Sequence, residues 1–147
     1  MITKSETIRK ASKYFRIDEL VCEHTLERFG VGAWKFLNAQ ALETLIVLRT
    51  KILKVPFIIN TQSAHQRGLR CNLCPLVKEK ETQYLSGHVL GCAFDILSKE
   101  MSAAQMRALI VQHKDLLPYP IRIEAGVTWL HFDMITNTDD KVIFFEA

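Results

Sequence analysis

The sequence predicts an α+β domain, and three features of its 147 residues predict it. Apolar residues at helical spacing follow Asn38, a capping phrase opens a second helical run at Ser102, and β-branched or aromatic runs gather toward the C-terminal end. Strand, loop, strand, helix and then clustered strands is an α+β order. The length fits one domain, and no linker, repeat or low-complexity stretch divides it. With 48% hydrophobic and 24% charged residues the balance is that of an ordinary globular chain and argues against disorder.

Each element has its own local reason. Asn38 can cap a helix whose Leu42, Leu45, Ile46, Ile52 and Leu53 recur on one face, and this helix should stop near Lys54, two residues before Pro56. Val55 to Asn60 is β-branched and apolar, which reads as a short buried strand. Gln62 to Tyr84 is polar and holds Gly68, Cys71, Cys74 and Pro75. It reads as a long loop with room for one helical turn, and loops of that length in compact domains are often functional. Ala93 to Leu97 reads as a strand. Ser102-Ala103-Ala104-Gln105 is a capping box for a helix running to about Leu116, closed by Pro118 and Pro120. His113 falls at the spacing of Leu109 and Leu116, so it is expected as a partly buried packing residue. Ile121 to Glu124, Thr128 to Met134 and Val142 to Phe145 read as strands, separated by Gly126 and a turn at Thr136 to Asp140.

Ser86-Gly87-His88-Val89-Leu90-Gly91-Cys92-Ala93-Phe94-Asp95, with the later Trp129-Leu130-His131-Phe132-Asp133, carries the most chemical information. Two imidazoles and a carboxylate form a mixed N/O set that suits Zn²⁺ and leaves a fourth position for water. Water on such an ion ionises near neutral pH and becomes a hydrolytic nucleophile. Most histidines are ordinary polar residues near a surface, but these two keep particular company. Gly87 and Gly91 bracket His88, as a turn pressed close to a ligand requires. Asp95 lies between Phe94 and Ile96, where an unpaired carboxylate is costly and a metal relieves the cost. Strand alternation puts Trp129, His131 and Asp133 on one side and Leu130, Phe132 and Met134 on the other. The first side is expected to line the site. Asp133 then orients an imidazole or carries a proton, and Trp129 either packs or walls a groove.

The spacing Ser86, His88, Asp95 with the later Trp129, His131 and Asp133 resembles the M15 zinc peptidases, which include D-Ala-D-Ala carboxypeptidases and phage endolysins. Phe15 to Cys22 resembles the family's N-terminal F-x-x-x-E-F/L-x-C phrase, and Asn38 to Arg49 its first long helix. Ser63-Ala64-His65-Gln66-Arg67 stands where the family usually reads S-G-Y-R, so the Gly-aromatic pair is absent while Arg67 keeps its place. The resemblance implies a single domain over residues 1–147 of hedgehog/DD-peptidase-like fold, with a small antiparallel sheet, flanking helices and a zinc site. It implies zinc on His88, Asp95 and His131, and substrate binding by Arg67 and Ser86. The substrate would be peptidoglycan stem peptide, cut by a D,D-carboxypeptidase or an endolysin-type endopeptidase.

The general base is where the match departs. Many family members carry an acidic residue three positions before the last histidine, and here that position is Thr128, which cannot accept a proton at neutral pH. Glu124 is the nearest upstream carboxylate. Its odd spacing from His131 would put it on the wrong face of one regular strand, unless Gly126 allows a bulge or turn. Related hedgehog-type domains also place their glutamate further upstream. Glu124 is the preferred base and Asp133 the alternative, while Glu124 as a structural partner of Arg122 or Arg67 stays open. The Thr128 departure keeps a second function in view, a catalytically silent zinc-binding module that recognises cell wall or a protein partner.

Four cysteines remain. Cys92 reads as a small buried hydrophobe. Cys71-Asn72-Leu73-Cys74 with Cys22-Glu23-His24 has the donor types of a structural zinc site, against a default of free reduced thiols. A net charge of +3, with Lys and Arg scattered, argues against nucleic-acid binding. No run reaches membrane-spanning length, and Met1 to Arg16 has no apolar signal core. The expectation is a monomer made in the cytoplasm without a signal peptide, acting at the cell wall if released, as in phage lysis.

Overall fold

Side-chain caps set where three of the α-helices begin in the computed structural model, which describes residues 2–147. Thr3 and Glu6 cap each other's backbone at α1 (Lys4–Ala11). Cys22 precedes α2 (Glu23–Phe29). Asn38 Oδ1 accepts the Ala41 N–H at 3.0 Å and opens α3 (Ala39–Val47), as its position in the sequence suggests. The helical run then finishes in a π-helical turn, Leu48–Ile52. There the Thr50 hydroxyl donates to the Ile46 carbonyl at 2.7 Å, and the Leu53 N–H reaches five residues back to Leu48. Lys54, with φ of 57°, ends the run.

The polar stretch between Gln62 and Tyr84 is irregular apart from α4 (Pro75–Lys78), which starts on Pro75 because a first-turn residue needs no N–H partner. The reciprocal pair Ser102–Gln105 opens α5 (Ala103–Gln112), and a short 3₁₀ turn, Lys114–Leu116, follows. His113 stands at the junction and is exposed. Since the helix ends one residue earlier, spacing from Leu109 does not place it in the core.

Four strands, β1 (Ala93–Ile96), β2 (Ile121–Glu124), β3 (Leu130–Asp133) and β4 (Val142–Phe145), form one sheet in the order β1-β3-β2-β4. β3 pairs antiparallel with β1 and with β2, whereas β4 lies parallel to β2. The expected all-antiparallel sheet is therefore a mixed one. After β3 the chain passes over β2 to reach its free edge, and a strand laid there antiparallel to β3 must run with β2. Val55 to Asn60 does not become a strand of this sheet. It is extended and buried at Phe57 and Ile59, but pairs only through the Ile58–Leu97 bridge. Pro56 at its start has no N–H to give a ladder.

One face of the sheet is core. Phe94 and Phe132 are opposed in the β1–β3 register, fully buried, with ring centroids 5.8 Å apart. Leu130, Ile96, Ile121 and Ile123 join them with no exposed surface, and α5 packs against β3 and the π-helical turn. Alternation sends Asp95, His131, Asp133, Arg122 and Glu124 to the other face. β3 is shorter than the sequence suggested, with Thr128 and Trp129 in the bend before it and Met134 after it. No helix among the described residues is long and apolar enough to cross a membrane.

Candidate metal centre

Asp95 on β1 and His131 on β3 are directly opposed, and His131 Nδ1 lies 2.7 Å from Asp95 Oδ1. His88 enters from the turn before β1, with Nε2 3.3 Å from Asp95 Oδ2. The imidazole centroids are 5.2 Å apart. All three residues are buried, and their donor atoms lie within 4.8 Å of one another.

The glycines around His88 explain how the turn comes so close. Gly91 has φ of 72°, and a Cβ there would overlap the Phe36 carbonyl oxygen. A Cβ on Gly87 would stand 2.8 Å from Ala93 Cβ and 2.9 Å from Asp133 Cβ. Side chains at these two positions would lift His88 away from the sheet.

The outer nitrogen of each ring is fixed. His88 Nδ1 donates to the Gly68 carbonyl at 2.8 Å, which leaves Nε2 facing Asp95. His131 Nε2 lies 3.0 Å from Asp133 Oδ2, which leaves Nδ1 facing Asp95. Such outer partners set tautomer and ring orientation in metal sites. Asp133 is in turn gripped by Arg122, with two contacts of 2.9 Å, and accepts the Ile135 N–H at 2.9 Å. Asp95 Oδ2 also meets Arg70 at 3.3 Å.

Charge follows this wiring. Burial alone would raise the Asp95 carboxyl, but hydrogen bonds from His131 and His88 hold it well below the usual carboxylate range. Against the same burial penalty, His131 and Arg122 lower Asp133 to about 2. Burial disfavours a charged His131, yet the Asp133 and Asp95 carboxylates raise it to about 9. Two imidazoles aimed at one ionised carboxylate make a donor set that could hold a metal ion.

The cluster lies on the floor of a two-part groove. A hollow of about 630 Å³ is bounded by Ser63 to Arg67, His24, Cys74 and Thr128. A second, of about 490 Å³, is bounded by Tyr84 to His88, Arg122, Glu124, His131, Asp133 and Phe145. Arg70, Asp95 and Trp129 line both, so Trp129 forms part of the groove wall between them.

Glu124 lines the second hollow with His88, Asp95 and His131. The β2–β3 register pairs Arg122 with Asp133, and two residues along the same face Glu124 comes beside His131. The connection through Gly126, with φ of 76°, turns the chain back, so Glu124 and His131 lie on neighbouring strands and not on one. Glu124 joins no ion pair among the described residues; Arg122 is taken by Asp133 instead. Arg67 lines the first hollow, but its guanidinium Nη1 donates to the Ile59 carbonyl at 3.0 Å. Ser86 lines the second hollow, and its Oγ accepts the Val89 N–H at 3.3 Å. Thr128 is exposed and lines the first hollow, whereas Glu124 lines the second.

Three participants escaped the sequence reading: Arg70, the Gly68 carbonyl, and Arg122 as the grip on Asp133. Arg70 carries a weak signal, since it directly precedes Cys71-x-x-Cys74, but nothing in the sequence ranks it above Arg67. A backbone carbonyl carries no signal at all. Separately, Cys22, His24, Cys71 and Cys74 bring four donor atoms within 4.8 Å of one another, forming a second cluster that could hold a metal ion. Comparison of the chain with protein-family models, with curated proteins and with solved structures returned no match.

Proposed function

We propose that this chain is a zinc-dependent peptidase that hydrolyses peptidoglycan stem peptides, with His88, Asp95 and His131 holding one Zn²⁺. The observation that carries this reading is the convergence of His88 Nε2, Asp95 and His131 Nδ1 at the floor of a groove, each ring aimed inward by a partner on its far nitrogen. Two neutral imidazoles and a carboxylate fit zinc, and the groove leaves room for a fourth ligand. When bound, the ion supplies Lewis acidity and makes water ionisable near neutral pH.

The chain's own residues divide the remaining work. Glu124, in no ion pair among the described residues and lining the same hollow, takes the proton of the attacking water and returns it to the leaving amine. Asp133 holds the His131 ring and stays ionised against Arg122. Arg67 and Arg70 supply cationic donors along the groove for a terminal carboxylate or the developing oxyanion. Trp129 bounds the peptide path. The resemblance to the M15 peptidases in the ligand spacing selects peptidoglycan as the substrate, cut by carboxypeptidase or endopeptidase action.

Purified protein incubated with peptidoglycan, with mass analysis of the soluble fragments, tests this. Release of D-alanine or cross-bridge fragments that a chelator stops and zinc restores is the expected outcome. Zinc at full occupancy without turnover on any peptidoglycan would favour a silent zinc-binding module, the reading that exposed Thr128 keeps open.

A further inference from the structure

We propose that Cys22, His24, Cys71 and Cys74 form a second, purely structural Zn²⁺ site that clamps the groove wall to the N-terminal helices. This inference does not depend on the peptidase reading. Two segments far apart in sequence deliver the donors. Cys22 sits at the start of α2 with His24 in its first turn, and Cys71 and Cys74 flank a tight turn that opens α4. His24 Nδ1 lies 3.7 Å from Cys71 Sγ and 3.8 Å from Cys74 Sγ. These are long for sulfur hydrogen bonds but suit a shared ion. A tetrahedron with Zn–S of about 2.3 Å and Zn–N of about 2.0–2.1 Å has N···S edges of about 3.5 Å.

Other details favour the ion over isolated thiols. None of the four cysteines is in a disulfide, and Cys22 and Cys74 are buried. The Leu73 N–H points at Cys71 Sγ from 3.4 Å, a contact that stabilises a thiolate. Three sulfurs and one imidazole, with no acidic oxygen among them, make a closed set that leaves no position for substrate. A structural role follows from that chemistry.

The clamp has a definite place in the fold. The Cys22 N–H donates to the Leu69 carbonyl at 2.9 Å, and the Leu69 N–H donates back to Leu20 at 2.9 Å. One residue before Leu69, the Gly68 carbonyl fixes His88; one residue after it, Arg70 meets Asp95. Residues 68–71 thus run from the candidate catalytic cluster straight to the first sulfur of the C-x-x-C. Fixing Cys71 and Cys74 to α2 holds that strip in register.

Metal analysis of the full chain purified from zinc-supplemented culture is the test, paired with Co²⁺ substitution. We expect one zinc per chain that Cys71→Ser/Cys74→Ser removes and His131→Ala leaves in place; the proposed function adds a second, lost in His131→Ala. The cobalt protein should show a thiolate-to-cobalt charge-transfer band that survives His131→Ala and vanishes in the double serine variant. If that variant does not fold, titrating wild type with an organomercurial should release one zinc as three thiols react. Zinc at the thiol cluster in a protein without peptidase activity would uphold this inference while removing the other. Absence of the charge-transfer band from wild type, or a Cys71–Cys74 disulfide in protein purified under non-oxidising conditions, would overturn it.

Discussion

Asp133 holds His131 from two residues away on the same strand, by a 3.0 Å contact from Asp133 Oδ2 to His131 Nε2, while both Asp133 oxygens are also taken by Arg122. Asp133 is 1% exposed, and its two oxygens are engaged by Arg122, His131 and the Ile135 N–H, which favours a fixed orienting group over a proton carrier. Its physical role is to aim the ring.

Asp133→Asn should accordingly weaken metal binding by roughly 10–100-fold, the usual effect of losing a carboxylate behind a ligating histidine. Competition with a chromogenic chelator measures this. Turnover at saturating zinc should fall far less. If metal affinity were unchanged while kcat collapsed, Asp133 would be the proton carrier and not the orienting group.

Glu124→Gln should give the opposite pattern. The amide preserves shape but cannot accept the proton, so zinc content stays normal while kcat drops by about 10²–10⁴-fold. Single-turnover rates on a defined stem peptide separate that loss from weaker binding. A fully active Glu124→Gln protein would move the base elsewhere, and with Asp133→Asn also active, away from both residues.

The residues of the candidate metal centre were legible in the sequence because glycine, histidine and aspartate leave marks there. Gly87, His88, Gly91 and Asp95 sit close together, and strand alternation alone gives His131 and Asp133 the same face. The caps at Asn38 and Ser102 were legible for a similar reason, since a cap is a local hydrogen bond between residues three apart. What could not be read depends on distance along the chain. β4 comes to lie parallel to β2 only because residues 134–141 pass over that strand, and no local pattern encodes the crossing. Val55 to Asn60 has the composition of a strand, yet Pro56 and the position of β1 leave it one bridge. Along one continuous strand the spacing to His131 turns Glu124 to the wrong face; two strands joined through Gly126 restore it to the candidate site.

Under the proposed function Arg67 and Arg70 are alternative holders of a substrate carboxylate, and the structure gives them different starting points. Arg67 Nη1 donates to the Ile59 carbonyl, which fixes the head of a side chain that lines the first hollow. Arg67→Lys loses that planar fork and should raise KM for peptides with a free C-terminal carboxylate, with zinc content unchanged. C-terminally amidated peptides should be insensitive to the change. Equal kinetics on both peptides in Arg67→Lys, with discrimination lost in Arg70→Lys, would give the carboxylate-binding role to Arg70.

Protein stripped with a chelator should carry a pH signature set by His131. Against the effect of burial, Asp133 and Asp95 raise this imidazole from 6.5 to about 9. A raised folded-state pKa means that the folded chain binds the proton more tightly than the unfolded one. Its stabilisation is therefore complete below about pH 6.5 and is lost as the pH climbs through about 9. Asp133 acts at the other end: lowered from 3.8 to about 2, it contributes above about pH 3.8 and is lost as the pH falls through about 2. Melting temperature of the stripped protein should thus be highest between roughly pH 4 and 6.5 and decline toward pH 9. Zinc must displace the Nδ1 proton, so added zinc should reverse the alkaline decline, and affinity should rise with pH up to about 9. Calorimetry at pH 7 in buffers of different ionisation enthalpy counts the protons released on zinc binding. Thiol protons from the cysteine cluster are removed from that count by repeating the titration in Cys71→Ser/Cys74→Ser. Heat independent of the buffer in that variant would mean that His131 is already neutral at pH 7 and that the two carboxylates do not hold its proton.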